Sequence, residues 1–249
     1  MATSNGGAGR PLVLGHRGAS GDAPENTLAA FRLALAQGAD GVELDVRRCA
    51  TGEVVVFHDA DAARLTGKPA VIARTPLPEL RALDVGGWKG PAFRGERIPT
   101  LAEVFQALPG AFVNVELKSG DRDLGLAAAA ARVVEAAGAA DRVIVSSFDY
   151  RLVMAFRLAA PRIPVGLLFD EETPGRLATW LGIRLLGAAA VHPGRRLVTP
   201  AGMAAWRARG LAVNVWTVDD VEEARRLAAL GAGALITNVP GRLRAALGG

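Results

Sequence analysis

Glu43 and Asp45 stand two residues apart in the run GVELDVRR, and Glu116 and Lys118 two apart in VELK. On a β-strand, positions i and i+2 face the same way, so each pair shares a face, and Asn114 joins the second. Three carboxylates gathered from two strands repel one another and need a cation. All-oxygen ligation by Glu43, Asp45 and Glu116 favours Mg2+ or Ca2+ over zinc, with Mn2+ also compatible. No HExxH or CxxC spacing is present. The chain has three histidines, and two of them, His16 and His58, follow apolar runs at the same kind of position. Two imidazoles flanking a metal suit general acid and general base work near neutral pH. Arg17 and Lys118 supply fixed positive charge for an anion. Three carboxylates set against these two cations and one divalent ion leave a single positive charge. One phosphodiester neutralises it, whereas a dianionic monoester overshoots.

These side chains need a scaffold that brings strand ends together. The apolar, β-rich runs are Leu12–Gly15, Gly41–Val46, Glu53–Phe57, Phe112–Leu117, Val143–Ser146, Pro164–Leu168, Ala188–Val191, Ala212–Trp216 and Ala234–Thr237. Most are continuously apolar, as parallel strands covered on both faces must be. Helical stretches alternate with them: Asn26–Gln37, Thr100–Ala107, Leu124–Ala136, Tyr150–Ala159, Pro174–Leu181, Pro200–Arg209 and Asp220–Ala229. Asn26, Thr100, Thr199 and Asp219 are the expected capping residues. Only RRCATG separates Val46 from Glu53, too little for a parallel crossover, so Gly41–Phe57 should be a hairpin turning near Thr51-Gly52. His58 then lies across from about Asp45 or Leu44. Setting the return strand aside leaves eight parallel strands separated by helices, a (β/α)8 TIM barrel with a hairpin on its second strand. A doubly wound sheet would carry a Gly-rich phosphate loop after its first strand, and Gly15-His16-Arg17-Gly18 is not one. In a barrel, polar residues at the strands' C-terminal ends converge on one rim. Residues 59–99, rich in Gly and Pro, hold no long periodic helix and read as a small inserted segment leaving the chain directly after His58.

Composition narrows the function classes. The chain has 249 residues, 50% hydrophobic and 22% charged, with a mean hydropathy of +0.23. Such a chain is not disordered as a whole. A lone cysteine, Cys49, excludes a disulfide scaffold. No uncharged apolar run reaches the ~18 residues of a membrane helix. The first ten residues read as a flexible tail rather than a secretory signal, leaving residues 11–249 as a single domain. A reduced, cytoplasmic setting is expected. Net charge is +4, but the arginines are scattered singly or in pairs, which argues against nucleic acid as a partner. An anionic small molecule fits better. The chain is expected as a monomer or homodimer.

HRGASGDAPENTLAAF (16–31), GVELDVRR (41–48), VVFHD (55–59), VELK (115–118), SSFD (146–149) and VWTVDD (215–220) occur in this order. Together they resemble the glycerophosphodiester phosphodiesterase family, over about residues 12–243. The resemblance implies a somewhat distorted TIM barrel with an insertion after the His-Asp motif. It implies His16 and His58 as the acid–base pair, Glu43, Asp45 and Glu116 as ligands of one divalent cation, and Arg17 and Lys118 as phosphate-binding residues. It implies hydrolysis of glycerophosphodiesters to sn-glycerol 3-phosphate and an alcohol, through attack of a neighbouring glycerol hydroxyl on phosphorus. The alternative is lysophospholipase D-like hydrolysis of lipid diesters at the same site, which an apolar groove in the insertion would favour. The chain departs from the family's usual Thr-Asp-x-Pro at the end of its last strand, carrying Thr237-Asn238-Val239-Pro240. This difference is expected to affect local rim contacts and not the catalytic set.

Other residues have plainer readings. Asn26-Thr27 reads as a helix cap, with Glu25 as an acid favoured by the helix dipole. Asp59 reads as a residue orienting His58 or a turn residue, rather than a metal ligand. His192, Trp216 and Phe169 are expected to shape the substrate site. Ser146-Ser147 lacks the GxSxG context of a nucleophile. Leu77, Leu80, Trp88 and Phe93 are expected to form a small core within the insertion, and Cys49 to be inert.

Overall fold

The computed structural model describes residues 10–118, 123–173, 183 and 186–248. Nine strands form one sheet: β1 (Leu12–His16), β2 (Gly41–Arg48), β3 (Val54–Val56), β4 (Phe112–Leu117), β5 (Val143–Ser147), β6 (Val165–Phe169), β7 (Ala190–Pro193), β8 (Ala212–Val215) and β9 (Ala234–Thr237). All neighbours pair in parallel except β2 and β3, and the β1–β2 pairing closes the sheet into a barrel. The described helices are α1 (Leu28–Ala36), α2 (Ala63–Thr66), α3 (Leu77–Arg81), α4 (Leu101–Ala107), α5 (Gly125–Ala136), α6 (Tyr150–Ala159), α7 (Pro200–Arg207), α8 (Val221–Ala229) and α9 (Pro240–Ala246). This is the (β/α)8 barrel with an antiparallel return strand. The expected helix Pro174–Leu181 lies outside the described residues, as does all of the expected tail except Arg10. No helix among the described residues is long and apolar enough to cross a membrane.

The period of two along each strand explains why the runs read as continuously apolar. Val13, Val42, Leu44, Val46, Val113 and Val115 face outward into one large core shared with the helices. The alternate positions face the barrel axis. Near its bottom they are apolar, with Leu14, Ala234 and Ile236 forming a separate small cluster. Toward the C-terminal rim the same inward phase carries His16, Glu43, Asp45, Asn114 and Glu116. Burying these polar groups is expensive unless each is paired, and the barrel interior is where they find one another.

Helix caps place the loops that feed the rim. Thr27, not Asn26, caps α1: its hydroxyl oxygen accepts from Ala30 N at 3.2 Å and donates to Pro24 O at 2.7 Å. Thr100 caps α4 in a reciprocal box with Glu103. Thr199 caps α7, and Asp220 rather than Asp219 caps α8. Asn26 and Asp219, displaced from the expected capping duty, both serve the site described below.

The segment between β3 and α4 builds a core of its own from Phe57, Leu65, Ile72, Leu80, Val85 and Ile98, lying against Val55 and Cys49 of the hairpin. Leu80 is at its centre and Leu77 packs on its edge. Trp88 and Phe93 do not belong to it: Trp88 is 47% exposed, and its indole N–H donates to Val85 O. Short helices with few apolar positions leave room for only one buried layer, and Trp88, on a turn, and Phe93, at the end of the 3-10 helix Pro91–Phe93, fall outside it. Cys49 is buried and free, with its Sγ donating to Glu53 Oε2 at 3.1 Å.

Candidate active site

Four adjacent strands deliver the charged residues. In the parallel register, His16 of β1 pairs with Glu43 of β2, Glu43 with Asn114 of β4, and Asp45 with Glu116. One carboxylate oxygen from each of Glu43, Asp45 and Glu116 can be chosen so that all lie within 4.8 Å of one another, and all three residues are buried. Val46 pairs with Val56 in the hairpin, which carries His58 opposite Leu44, and Phe57 N donates to Asp45 O at 2.9 Å. Arg47, one more step along the inward phase of β2, holds the next turn in place. Its Nε and Nη2 both donate to the His58 carbonyl, at 3.0 and 2.9 Å.

The two cations lie against the carboxylates. Lys118 Nζ is 2.7 Å from Glu116 Oε1 and 3.4 Å from Asp45 Oδ1. Arg17 Nε is 3.3 Å from Asp45 Oδ2, its Nη1 donates to Glu25 Oε1 at 2.9 Å, and its backbone N–H donates to Glu43 Oε2 at 3.0 Å. Arg17 makes that backbone contact at φ 54°. Gly18 follows at φ 85°, where a Cβ would lie 2.6 Å from Ala30 C, so only glycine lets this loop rest on α1.

Asn26 has a different duty from the cap expected of it. It adopts φ 58°, a region asparagine tolerates, and turns its side chain onto β2. Its Nδ2 donates to Asp45 Oδ2 at 2.8 Å and its Oδ1 accepts from Asp45 N at 3.3 Å. Glu25 is not a first-turn acid of α1. It ties Arg17 to Arg64, which also reaches Asp59 Oδ2 at 2.5 Å. A chain of ion pairs therefore runs from Arg17 through Glu25 and Arg64 to Asp59.

Hydrogen bonds set the tautomer of both rim histidines. His58 Nδ1 is 2.6 Å from Asp59 Oδ1, and His16 Nδ1 is 2.7 Å from Asn238 Oδ1. Both partners are oxygens that accept, so each Nδ1 carries the proton and each Nε2 is left as the acceptor. Asn238 is itself oriented by Asp219, whose Oδ2 accepts from Asn238 Nδ2 at 2.7 Å. The Thr-Asn-x-Pro departure thus touches His16 directly, contrary to the expectation that it stays at the rim. Burial holds both His16 and His58 below the ordinary histidine value, with Arg17 adding to the effect at His16.

A cavity of about 180 Å³ opens among these residues. His16, Arg17, Glu43, His58, Glu116 and Lys118 line its polar side. Phe148, Leu168, Trp216 and Ile236 line an apolar side, where Phe148 and Trp216 meet edge to face at 5.5 Å between ring centroids. His192 forms part of the lining and is fully buried. Phe169 is not brought here. It occupies the outward phase of β6 and stacks at a tilt on Trp206 of α7, 5.9 Å away, while Leu168 takes the inward place. Ser147 Oγ donates to Leu117 O, and Ser146 Oγ accepts from Asn114, so both serines are used in packing.

The electrostatics suit a metal ion. Burial, then Asp45 beside it, pushes Glu43 up to about 8, and the same two causes push Glu116 up to about 7. Burial pushes Asp45 upward as well, but Lys118, Arg17 and His58 outweigh it and hold it at about 2. Two cations therefore do not neutralise three buried carboxylates. An oxygen-only donor set with surplus negative charge fits a divalent ion.

The same imbalance makes a prediction for the chelator-treated protein. Glu43 and Glu116 ionise at about pH 4.5 when unfolded but near 8 and 7 when folded. The folded state therefore binds more protons than the unfolded one across that window, and stability falls as pH rises. His192, which burial holds at about 3, opposes this trend, as do His16 and His58, which burial also lowers, but mainly below the ordinary histidine value of 6.5. The melting temperature should thus drop between about pH 6.5 and 8. Glu43→Gln should flatten the slope. A melting temperature that climbs across this window contradicts the charge assignment.

Comparison with known proteins is consistent with this geometry. The model of the glycerophosphoryl diester phosphodiesterase family matches residues 16–242. A glycerophosphodiester phosphodiesterase of Caldanaerobacter subterraneus subsp. tengcongensis is 35% identical over 234 residues, covering 93% of this chain and 95% of that protein. Among solved structures, an Oleispira antarctica phosphodiesterase in complex with the product sn-glycerol-3-phosphate superposes with a TM-score of 0.89 at 32% identity, covering 95% of this chain and 96% of its own. A glycerophosphodiester phosphodiesterase from Thermotoga maritima gives 0.77 at 30% identity, covering 95% and 98%.

Proposed function

The chain belongs to the glycerophosphoryl diester phosphodiesterase family, and from that premise we propose that it hydrolyses glycerophosphodiesters to sn-glycerol 3-phosphate and an alcohol, using one divalent cation. The observation that carries this reading is the cluster of three buried carboxylates, two of which line one small cavity together with two histidines, each tautomerically set to offer Nε2. The product complex of the Oleispira antarctica relative supports the glycerol phosphate product.

Glu43, Asp45 and Glu116 would hold the cation, with Mg2+ or Ca2+ the first candidates and Mn2+ the next. When bound, it supplies positive charge against the phosphoryl oxygens. Arg17 and Lys118 turn their positive groups to the same anion. One histidine takes the proton from the glycerol hydroxyl next to the ester through Nε2. That oxygen bonds to phosphorus while the bond to the leaving alcohol breaks, and the other histidine, protonated, gives its proton to the leaving oxygen. Water then opens the cyclic phosphate with the two roles exchanged.

Asn238 and Asp59 act as positioning residues in this scheme, since each fixes the proton on Nδ1 and leaves Nε2 free. Asn238→Leu should lower kcat about tenfold or more by releasing the His16 tautomer, with KM little changed. An unchanged kcat in steady-state assays contradicts that role.

The same proposal takes residues 11–249 as one barrel domain with its insertion at about 59–99, a cytoplasmic setting, and a monomer or homodimer. The insertion turns its Leu and Ile side chains into a closed core, which supports a water-soluble diester over a lipid one. Product analysis tests the reaction. Glycerophosphocholine should give sn-glycerol 3-phosphate and choline. Phosphocholine and glycerol would place the cleavage on the other ester bond and overturn the reading.

A further inference from the structure

Beneath the charged residues, the lining of the cavity contains two polar side chains whose hydrogen-bonding capacity is only partly used. His192 of β7 is fully buried and Asn114 of β4 is 1% exposed. Asn214 Nδ2 lies 3.2 Å from His192 Nε2. An amide nitrogen only donates, so Nε2 accepts and Nδ1 carries the ring proton. That Nδ1 has no partner among the described residues. Asn114 Nδ2 donates to Ser146 Oγ at 2.9 Å, and its Oδ1 is likewise buried without a partner among the described residues. The chain makes room for this arrangement: a Cβ at Gly166 would lie 2.5 Å from His192 Nε2.

His192 and Asn114 both line the cavity, and the spare donor on one and spare acceptor on the other select a ligand by chemistry. A phosphoryl oxygen would satisfy the imidazole N–H but face the lone pairs of Asn114 Oδ1. A cation would satisfy Oδ1 but meet the N–H. A hydroxyl group both donates and accepts, so of the three it alone suits both kinds of group. Burial keeps His192 neutral, holding it at about 3, so it does not compete with His16 and His58 as an acid or base.

We propose that His192 and Asn114 form a subsite for one uncharged hydroxyl, the terminal hydroxyl of the substrate's glycerol group. This inference rests on the reaction proposed above. With the adjacent hydroxyl committed to attack at the rim, the terminal one is the group left to occupy the subsite. The two could instead share an ordered water, and the test separates these sources.

The probe is glycerophosphocholine against its analogue built on propane-1,2-diol, which keeps the attacking hydroxyl and lacks the terminal one. The unmodified enzyme should show kcat/KM at least about 100-fold higher for the glycerol ester, because the analogue leaves both buried groups unpaired. His192→Phe should bring the ratio to within about threefold of one, mainly by slowing the glycerol ester. Equal kcat/KM for the two esters in the unmodified enzyme overturns the subsite and is the result expected if water alone occupies it. A His192→Phe variant that slows both esters equally overturns it too, by making the residue merely structural. If that variant does not fold, the ratio in the unmodified enzyme still decides, and Asn214→Leu, which frees the ring tautomer, should reduce it. If neither ester is cleaved, the proposed reaction fails and calorimetric binding decides the subsite separately. Tighter binding of sn-glycerol 3-phosphate than of propane-1,2-diol 1-phosphate supports it, and equal binding overturns it.

Discussion

Replacing either His16 or His58 with alanine is expected to lower kcat by about a thousandfold or more, with the fold intact. General acid and general base steps each contribute about 10²–10⁴-fold. Both histidines take part in the same proton exchange, so removing one disables the pair. The double variant should therefore be little worse than either single one. Neither ring is part of the packed core, since the side chains remain 18% and 30% exposed. The circular dichroism spectrum and the melting transition should be close to those of the unmodified protein. Steady-state kinetics of the three variants check this. A folded His16→Ala enzyme with ordinary turnover sinks the acid–base assignment, and additive losses in the double variant would show that the two rings act in separate steps.

The second large effect is expected at Asp45. This carboxylate is the most connected of the three, touching Arg17 at 3.3 Å, Lys118 at 3.4 Å and Asn26 at 2.8 Å. It is also the carboxylate that stays ionised when its two neighbours are pushed toward protonation. Asp45→Asn keeps the shape and removes the charge. Affinity for the activating ion should weaken by at least about 100-fold, and kcat at a fixed ion concentration should fall about a thousandfold. Arg17 and Lys118 would keep Glu25 and Glu116 as partners, so the variant should fold. Calorimetric titration of the ion into both proteins makes the comparison. Unchanged ion affinity in Asp45→Asn removes this residue from the ligand set.

Much of the architecture was legible because parallel strands, covered on both faces, read as unbroken apolar runs. The hairpin was legible because six residues cannot make a crossover, and that placed His58 across from about Asp45 or Leu44; the register settles it on Leu44. The pairing of Glu43 with Asp45, and of Glu116 with Lys118, followed from the period of two. The same period could have found Arg47, two beyond Asp45, whose side chain holds the His58 turn. It could also have separated Leu168 from Phe169, since inward phase passes through Gly166 and Leu168 and leaves Phe169 facing α7.

Asn26, Asp219 and Asn238 were harder. The first two have a neighbour that competes for the obvious local duty. Thr27 and Asp220 take the caps, and the freed Asn26 and Asp219 reach across the chain to Asp45 and Asn238. Local capping rules rank adjacent polar residues almost equally, and the choice is made by tertiary contacts from distant strands. The residue type was the available signal, because asparagine enters the left-handed region that Asn26 occupies more readily than most residues. Residues 59–99 were legible as irregular but not in detail, because short turns do not reveal which aromatics point inward.

The central claim is that one divalent ion, held by Glu43, Asp45 and Glu116, is required for release of sn-glycerol 3-phosphate. The most direct measurement strips the protein with a chelator and titrates Mg2+, Ca2+ or Mn2+ back while following that product from glycerophosphocholine. Turnover should vanish on stripping and return in step with the binding of one ion per chain. Full turnover by the stripped protein, or binding of an ion that leaves turnover at zero, would contradict the account.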